Sequence, residues 1–469
     1  MMKRQRWFTS IAAVGLSTLV VLIVLAVVPA RSAVPHLGYG FNVANWDTAR
    51  LSSMGFNWIK VFEAPTSPLD KYVLLRVDLT SATTATQLDD DLTAKLAYAQ
   101  YIDAWEIGNE PNLDASYGWG AAPDPAAYKT KLCQAYQKIK SVDPQAIVVT
   151  AGLAPVGRVS GPNGNDGQKQ DERQFLIQLL DAGGAACLDV VGYHPYGYSA
   201  DYDAAPDVPA ADPARNCDQG FCFRGAEKLY EIMQQKGIGD RKLWATEFGW
   251  IVSPPDHCFD DPIWKDEWAG RVWQIVSEDK QAANLAGAFQ YADQHWPWMG
   301  AMFVFNLNFA QNPVLAECDQ MRYYTVQGRA AETALTNLLK NTANIPGRLK
   351  TDVSFVSLMI GVNEQPITLT TAVGLSNWGW RPVTYTAAAD NGAPLVPVLL
   401  NPTSTLGGTE QRPLDFVITS TARPLGVYTG QVVVNWTAYE VGNPTPRSVD
   451  IELRVVAEIH RVYLPLIQR

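Results

Sequence analysis

Between Leu37 and about Asn341 the chain repeats one rhythm eight times: a short apolar run, a polar turn, then an amphipathic stretch. The strand candidates are LGYGFNV, NWIKVF, YVLLRVDL, IDAWEI, AIVVTAG, LDVVGYH, KLWATEF and GAMFVFNLN. Several are almost uninterrupted apolar runs, as parallel strands covered on both faces require. The stretches between them read as helices. PDPAAYKTKLCQAYQKIKSV sets Pro125 after Asp124 and puts Tyr128, Leu132, Tyr136 and Ile139 on one stripe. GAEKLYEIMQQKG closes on Gly237, a C-cap residue. About 300 residues with this alternation predict an α/β fold, a closed (β/α)8 TIM barrel. One connection departs from the rhythm: EAPTSPLDK, between the second and third strands, is too short for a crossover helix and predicts a turn in its place. The acidic run Asp89 to Asp91 is expected to cap or precede a helix and to face solvent.

After about Ile345 the texture changes to alternating Val-, Thr- and Leu-rich runs broken by ADNGAP and NPTSTLGG, without a helical stripe. This predicts a small all-β unit, an immunoglobulin-like sandwich. The expected organisation is a processing segment over 1–33, the barrel over 37–341, the sandwich over 347–458 and a tail over 459–469. A length of 469 residues accommodates two such domains. Trp378 and Trp380 in NWGWRP read as core residues of the sandwich, with sugar contact the alternative.

The N-terminus carries Lys3, Arg4 and Arg6, then an apolar stretch from Ile11 to Val28, then small residues around Ala30 to Ala33. This is the layout of a secretory signal, and the apolar stretch is long enough that an uncleaved anchor is the alternative. Either reading places the bulk of the chain outside the cytoplasm, with any membrane contact made through that anchor alone. Six cysteines, without metal-binding spacing, fit disulfides in that compartment. Of the fifteen pairings open to six cysteines, the expectation is Cys217–Cys222, Cys258–Cys318 and Cys133–Cys187. The net charge of −10 argues against nucleic acid as a partner. Five scattered histidines give no ligand spacing, so no metal or other cofactor is expected.

In a parallel barrel the reactive groups sit where strands end, on the face formed by the βα loops. Four strand ends are polar here: Asn109 and Glu110, His194 and Tyr196, Glu247, and Asn306 or Asn308. Glu247 follows Glu110 by 137 residues, about 46 per unit over three units, which suits strands four and seven. Two carboxylates facing one cavity are the minimum apparatus for cleaving a glycosidic bond. Fifteen tryptophans and nineteen tyrosines offer flat faces for sugar rings, although most are expected in the core.

WEIGNEPN, residues 105–112, together with WATEFGW resembles the clan A glycoside hydrolases, retaining (β/α)8 enzymes that include cellulases, β-xylosidases and β-glucuronidases. The resemblance covers roughly residues 37–341. It implies that Glu110 is the acid/base, Glu247 the nucleophile and Asn109 the donor to the sugar 2-hydroxyl. GYHPYGY resembles the clan's His-x-Tyr element, implying that His194 lines the subsite and Tyr196 bonds the nucleophile. The retaining mechanism needs carboxyls ~5 to 5.5 Å apart, one of them protonated at rest. Two departures stand out. Many members carry an arginine at the end of strand two, where this chain has Lys60 and Glu63, with Arg76 on the next strand. The common strand-eight tryptophan is absent, and Trp296 and Trp298 lie just upstream; with Asn306 they are candidate substrate contacts. The expected function is a secreted hydrolase of β-linked glycosides or polysaccharides. The competing class is a non-catalytic carbohydrate-binding or surface-attachment protein on the same barrel. Glu106 reads as an inward-facing residue paired in the barrel core.

Overall fold

The computed structural model describes residues 38–459, apart from 68, 144–145, 213–214, 341–346, 378–381, 409 and 439–445. The N-terminal segment, Trp378 and Trp380, and all of the tail but its first residue lie outside the described residues. Among the described residues no helix is long and apolar enough to cross a membrane.

Eight parallel strands close into a barrel: β1 Gly38–Asn42, β2 Trp58–Val61, β3 Tyr72–Val77, β4 Ala104–Ile107, β5 Ile147–Thr150, β6 Val190–Tyr193, β7 Lys242–Phe248 and β8 Met299–Val304. β1 pairs β8, Gly40 opposite Phe303, to shut the ring. Helices α1 Thr48–Ser53, α2 Ala85–Leu96, α3 Pro125–Val142, α4 Glu172–Asp181, α5 Ala226–Gln235, α6 Lys265–Arg271, α7 Glu278–His295 and α8 Ala330–Asn337 fill the connections. Between β2 and β3 the described residues form no helix, in keeping with the short EAPTSPLDK link.

Local chemistry sets these elements. Asp124 caps α3 by accepting from the Ala126 and Ala127 amides, and Tyr128, Leu132 and Ile139 are buried while Tyr136 is half-buried. In α2 the start differs from the expectation. Thr84 and Gln87 form a reciprocal capping box, so the helix begins before Asp89 to Asp91 and carries them inside it. There Asp89 and Asp91 pair with Lys138 and Lys95.

Aromatic side chains plug the floor of the barrel. Trp58 of β2 meets Trp244 of β7 and Phe303 of β8 edge to face, at centroid distances of 5.2 and 5.9 Å. Room comes from glycines on the neighbouring strands: a Cβ on Gly300 would lie 2.0 Å from the Trp244 indole nitrogen, and one on Gly40 2.5 Å from the Phe303 ring. Truncating one such indole costs about 3 to 5 kcal/mol, so the floor is a main source of stability.

The C-terminal part is all-β, in two sheets. Strands β9 Leu349–Thr351, β10 Phe355–Gly361, β11 Ile367–Asn377, β12 Val383–Ala389, β13 Val398–Leu399, β14 Thr403–Leu406, β15 Gln411–Ser420, β16 Gly426–Ala438 and β17 Arg447–Val456 are ordered β10-β17-β16-β12-β14 and β13-β15-β11-β9. Strict alternation buries Leu414, Phe416 and Ile418 of β15 against Tyr385, Val434 and Leu453 from the other sheet. This unit meets the barrel at the N-terminal ends of β3 and β4. Asp103, fully buried, accepts from the Val73 amide and pairs with Arg348 at 2.5 Å and Lys350 at 3.1 Å. The strand C-termini are thereby left open. Three disulfides, Cys133–Cys187, Cys217–Cys222 and Cys258–Cys318, tie α3 to the approach to β6 and brace the long loops after β6, β7 and β8.

Candidate active site

The end of β4 is built around one unusual backbone. Gly108 (φ +90°) bonds Val77, and two residues on Glu110 has φ +40°, a left-handed conformation that costs a non-glycine residue of order 1 kcal/mol or more. Two backbone bonds hold it there: the Glu110 N–H donates to the Gly152 carbonyl at 3.1 Å, and its own carbonyl accepts from Leu113 at 3.0 Å. Asn112 locks the same turn to the β5 loop. Its amide donates to the Ala154 and Gln170 carbonyls and its oxygen accepts from the Ala154 N–H. A strained residue held from both sides has its side chain aimed by the fold.

Glu247, one residue before the end of β7, receives two donors. Lys60 Nζ lies 2.9 Å from its Oε1 and the Tyr196 hydroxyl 2.8 Å from its Oε2. Lys60 comes from β2, is fully buried, and also reaches Glu106 Oε2 of β4 at 2.7 Å. His194, just beyond β6, sits among three carboxylates. Its Nδ1 is 2.8 Å from Glu110 Oε1 and 3.7 Å from Glu247 Oε2, and its Nε2 is 3.8 Å from Glu106 Oε1. Because Glu110 and Glu247 approach the same nitrogen, these two carboxylate oxygens stand no more than roughly 6.5 Å apart.

Charge balance follows from this packing. Burial opposes a charge on His194, but Glu247, Glu106 and Glu110 together outweigh it and raise its pKa to about 9. Burial would likewise raise Glu106; Lys60 and then His194 overturn that and pull it down to about 2. Glu247 is also held below its usual range, because His194, Lys60 and Arg76 together exceed the effect of burial and of Glu106. At neutral pH the site therefore holds an imidazolium beside the ionised Glu106 and Glu247.

Above these groups opens a cavity of about 700 Å³, of the size that takes small ligands. Asn109, Glu110 and Glu247 form its base and Phe62, Tyr117 and Tyr324 are among its walls. Asn109 is oriented by donating to the Tyr117 carbonyl at 2.9 Å and by accepting from Arg76 at 3.2 Å, with the Arg76 guanidinium lying over Phe62.

The structure thus brings Asn109, Glu110, His194, Tyr196 and Glu247 together. Asn306 lies behind them, fully buried and consumed by bonds to Met321, Phe309 and Thr325. Trp296 and Trp298 are not brought to this cavity. They precede β8 at the opposite end of the barrel, where Trp298 stacks between Tyr230 and Trp296, and the Trp296 N–H donates to Glu227. There they line a separate, smaller cavity of about 340 Å³ with Tyr230 and Glu227. Glu106 faces inward and is paired in the barrel core, as expected, whereas Lys60 and Arg76 make contacts that motif reading left unassigned. The signal was present: a lysine in WIKV and a glutamate in AWEI, each inside an apolar strand, need one another as partners in a dry barrel.

No protein-family model matches the chain, and no curated protein matches it. Solved structures similar to it include an endo-β-1,3-glucanase of glycoside hydrolase family 128 from Amycolatopsis mediterranei in complex with laminaripentaose. That structure is 14% identical, with 65% of this chain and 100% of that one covered and a TM-score of 0.39. A glucosidase from Croceicoccus marinus is 11% identical over 83% of this chain and 96% of its own, with a TM-score of 0.42. A β-glucuronidase from Bacteroides uniformis is 10% identical over 87% of this chain and 43% of its own, with a TM-score of 0.39. Likenesses of this grade carry no information on chemistry.

Proposed function

We propose that the chain is a glycoside hydrolase that cleaves β-linked glycosides by a retaining double displacement of the clan A type. The observation that carries this reading is the meeting of Glu110 and Glu247 at one imidazole nitrogen, at the base of an open cavity. A spacing bounded at roughly 6.5 Å favours direct attack over the wider gap that accommodates a water between the carboxyls.

In this reading Glu247 attacks the anomeric carbon through Oε2 while Glu110 passes its proton to the leaving oxygen. Lys60 keeps its hold on Oε1, and Tyr196 releases or follows Oε2 as the ester bond forms. The carboxylate that Glu110 becomes faces His194 Nδ1 at 2.8 Å, so the departing proton leaves a charge already solvated by a donor. Glu110 then takes a proton from water, which attacks the anomeric carbon and frees Glu247. Asn109 is the donor to the 2-hydroxyl. The long N-terminal apolar segment and the three disulfides support export, with 37–341 as the catalytic domain and 347–458 as an immunoglobulin-like sandwich.

The test is hydrolysis of a panel of aryl β-glycosides and β-glucans, following the first-formed anomer by proton NMR. Release of the β-anomer, and mass-spectrometric recovery of a 2-fluoroglycosyl ester on Glu247, are expected. A first-formed α-anomer would rule out retention, and sugar binding without hydrolysis of any member would turn the assignment to a non-catalytic carbohydrate-binding protein.

A further inference from the structure

We infer that Glu106, the first glutamate of WEIGNEPN, is a positioning residue that acts through Lys60 and His194 to set the geometry of Glu247 and Glu110 together, without meeting substrate. The inference rests on the reading of Glu110 and Glu247 as the working pair.

Glu106 is fully buried and forms no part of the cavity wall. Both of its oxygens are aimed. Oε2 takes the Lys60 ammonium at 2.7 Å, and that ammonium spends its other contacts on Glu247 Oε1 at 2.9 Å and the Thr246 carbonyl at 3.4 Å. A lysine head is a rotatable point charge with no preferred plane, so its direction is set by whatever acceptors surround it. Oε1 accepts the Gly152 N–H at 3.2 Å and faces His194 Nε2.

Gly152 links the two halves. Its N–H orients Glu106 and its carbonyl holds the Glu110 amide. A Cβ there would stand 2.1 Å from the His194 ring and 2.5 Å from Thr246 Oγ1, so the bare backbone is what lets the imidazole slide between the carboxylates. The titratable groups facing His194 are Glu106 of β4, Glu110 beyond it, Glu247 of β7 and Tyr196 of its own loop, with Lys60 of β2 bound to two of those carboxylates. Among the described residues Glu106 is the one carboxylate paired with Nε2. It sustains the positive ring from behind while Nδ1 serves the pair in front.

A purely structural ion pair makes a different prediction, because apolar residues of matched volume replace such pairs without loss of stability. The decisive variants are Glu106→Gln and the double substitution Lys60→Met/Glu106→Met in the full chain. For Glu106→Gln, kcat on an aryl β-glycoside is expected to fall roughly 100-fold with KM nearly unchanged. The basic limb of the pH profile and the His194 midpoint, read by nitrogen-15 NMR and assigned with His194→Gln, should both move down by about one pH unit. Glu106→Asp should regain part of the lost kcat. The double variant should unfold like the wild type yet keep the low kcat. Recovery of kcat together with stability in the double variant, or an unmoved His194 midpoint, overturns the inference. If Glu106→Gln does not fold, the double variant alone decides on kcat. If the wild type hydrolyses no β-glycoside, the proposed function falls, and the His194 midpoint in a folded Glu106 variant still decides the coupling.

Discussion

The floor and the mouth of this barrel are built on the same strands to opposite ends. On β2, Trp58 and Lys60 are two residues apart and both are buried; on β7, Trp244 and Glu247 repeat the contrast across the barrel. At the floor, indoles and glycines interlock and the gain is packing. At the mouth, Lys60, Glu106, His194 and Glu247 are enclosed as ions, an arrangement that contributes little net stability and is costly when a single partner is removed. On β2 the strand repeat of two puts both side chains on the same axis at different depths; on β7, where the two are three residues apart, the irregular register against β8 between Ala245 and Phe248 supplies the odd step. Apolar packing is concentrated low in the barrel and buried charge high.

The sharpest way to break this contrast is at the mouth. Glu247→Ala is expected to lower kcat on aryl β-glycosides on the order of 10⁴-fold, about 5 to 6 kcal/mol of barrier, with azide restoring part of the rate. A uniform loss without rescue, measured by steady-state kinetics, would remove Glu247 from its role. At the floor, Trp244→Ala should cost about 3 to 5 kcal/mol in chemical denaturation, while kcat at a temperature where the variant is folded stays within a few fold of wild type. If kcat collapsed instead, floor and mouth would not be separable.

A third test uses pH. The folded His194 pKa, raised to about 9 from 6.5, contributes stability that is fully present below pH 6.5 and lost as pH rises through 9. Glu106, lowered to about 2 from 4.5, contributes stability present above pH 4.5 and lost as pH falls through 2. The stability gap between wild type and His194→Gln should therefore shrink between mildly acidic pH and pH above 9, by of order 3 kcal/mol. A gap that stays constant across that window in urea titrations would contradict the charge balance. The smallest expected effect is the difference between Glu110→Gly and Glu110→Ala, which both lose the bond to His194 and the rate on substrates with poor leaving groups. The glycine variant should be the more stable of the two by about 1 kcal/mol, because glycine takes φ +40° without strain. A glycine variant that melts no higher than the alanine variant would show that the backbone at Glu110 is not strained.

Much of the fold was legible because it is written in periodicity. Near-continuous apolar strands, the Asp124–Pro125 helix start and the brief EAPTSPLDK link each follow from local rules, and the barrel shows all three. Where two local signals competed, the nearer one won: the Thr84 and Gln87 box fixed the start of α2 and left Asp89 to Asp91 in mid-helix. At the site, Glu110 and Glu247 could be picked out because strand ends are countable. Trp296 and Trp298 were placeable by the same rule: they precede β8, and a residue just before a parallel strand lies at its N-terminal end, away from the face where the βα loops gather.

By itself the sequence determined the alternation that closes a parallel barrel, an all-β unit after it, and the two glutamates at strand ends. Those depend on period and order along the chain, which local physics reads directly. The tertiary structure alone decided that Lys60, Glu106 and His194 meet beneath those glutamates, from β2, β4 and the end of β6. The reason is physical: a buried charge is tolerable only beside its partner, and which partner it finds depends on depth and direction inside the barrel, which closure fixes.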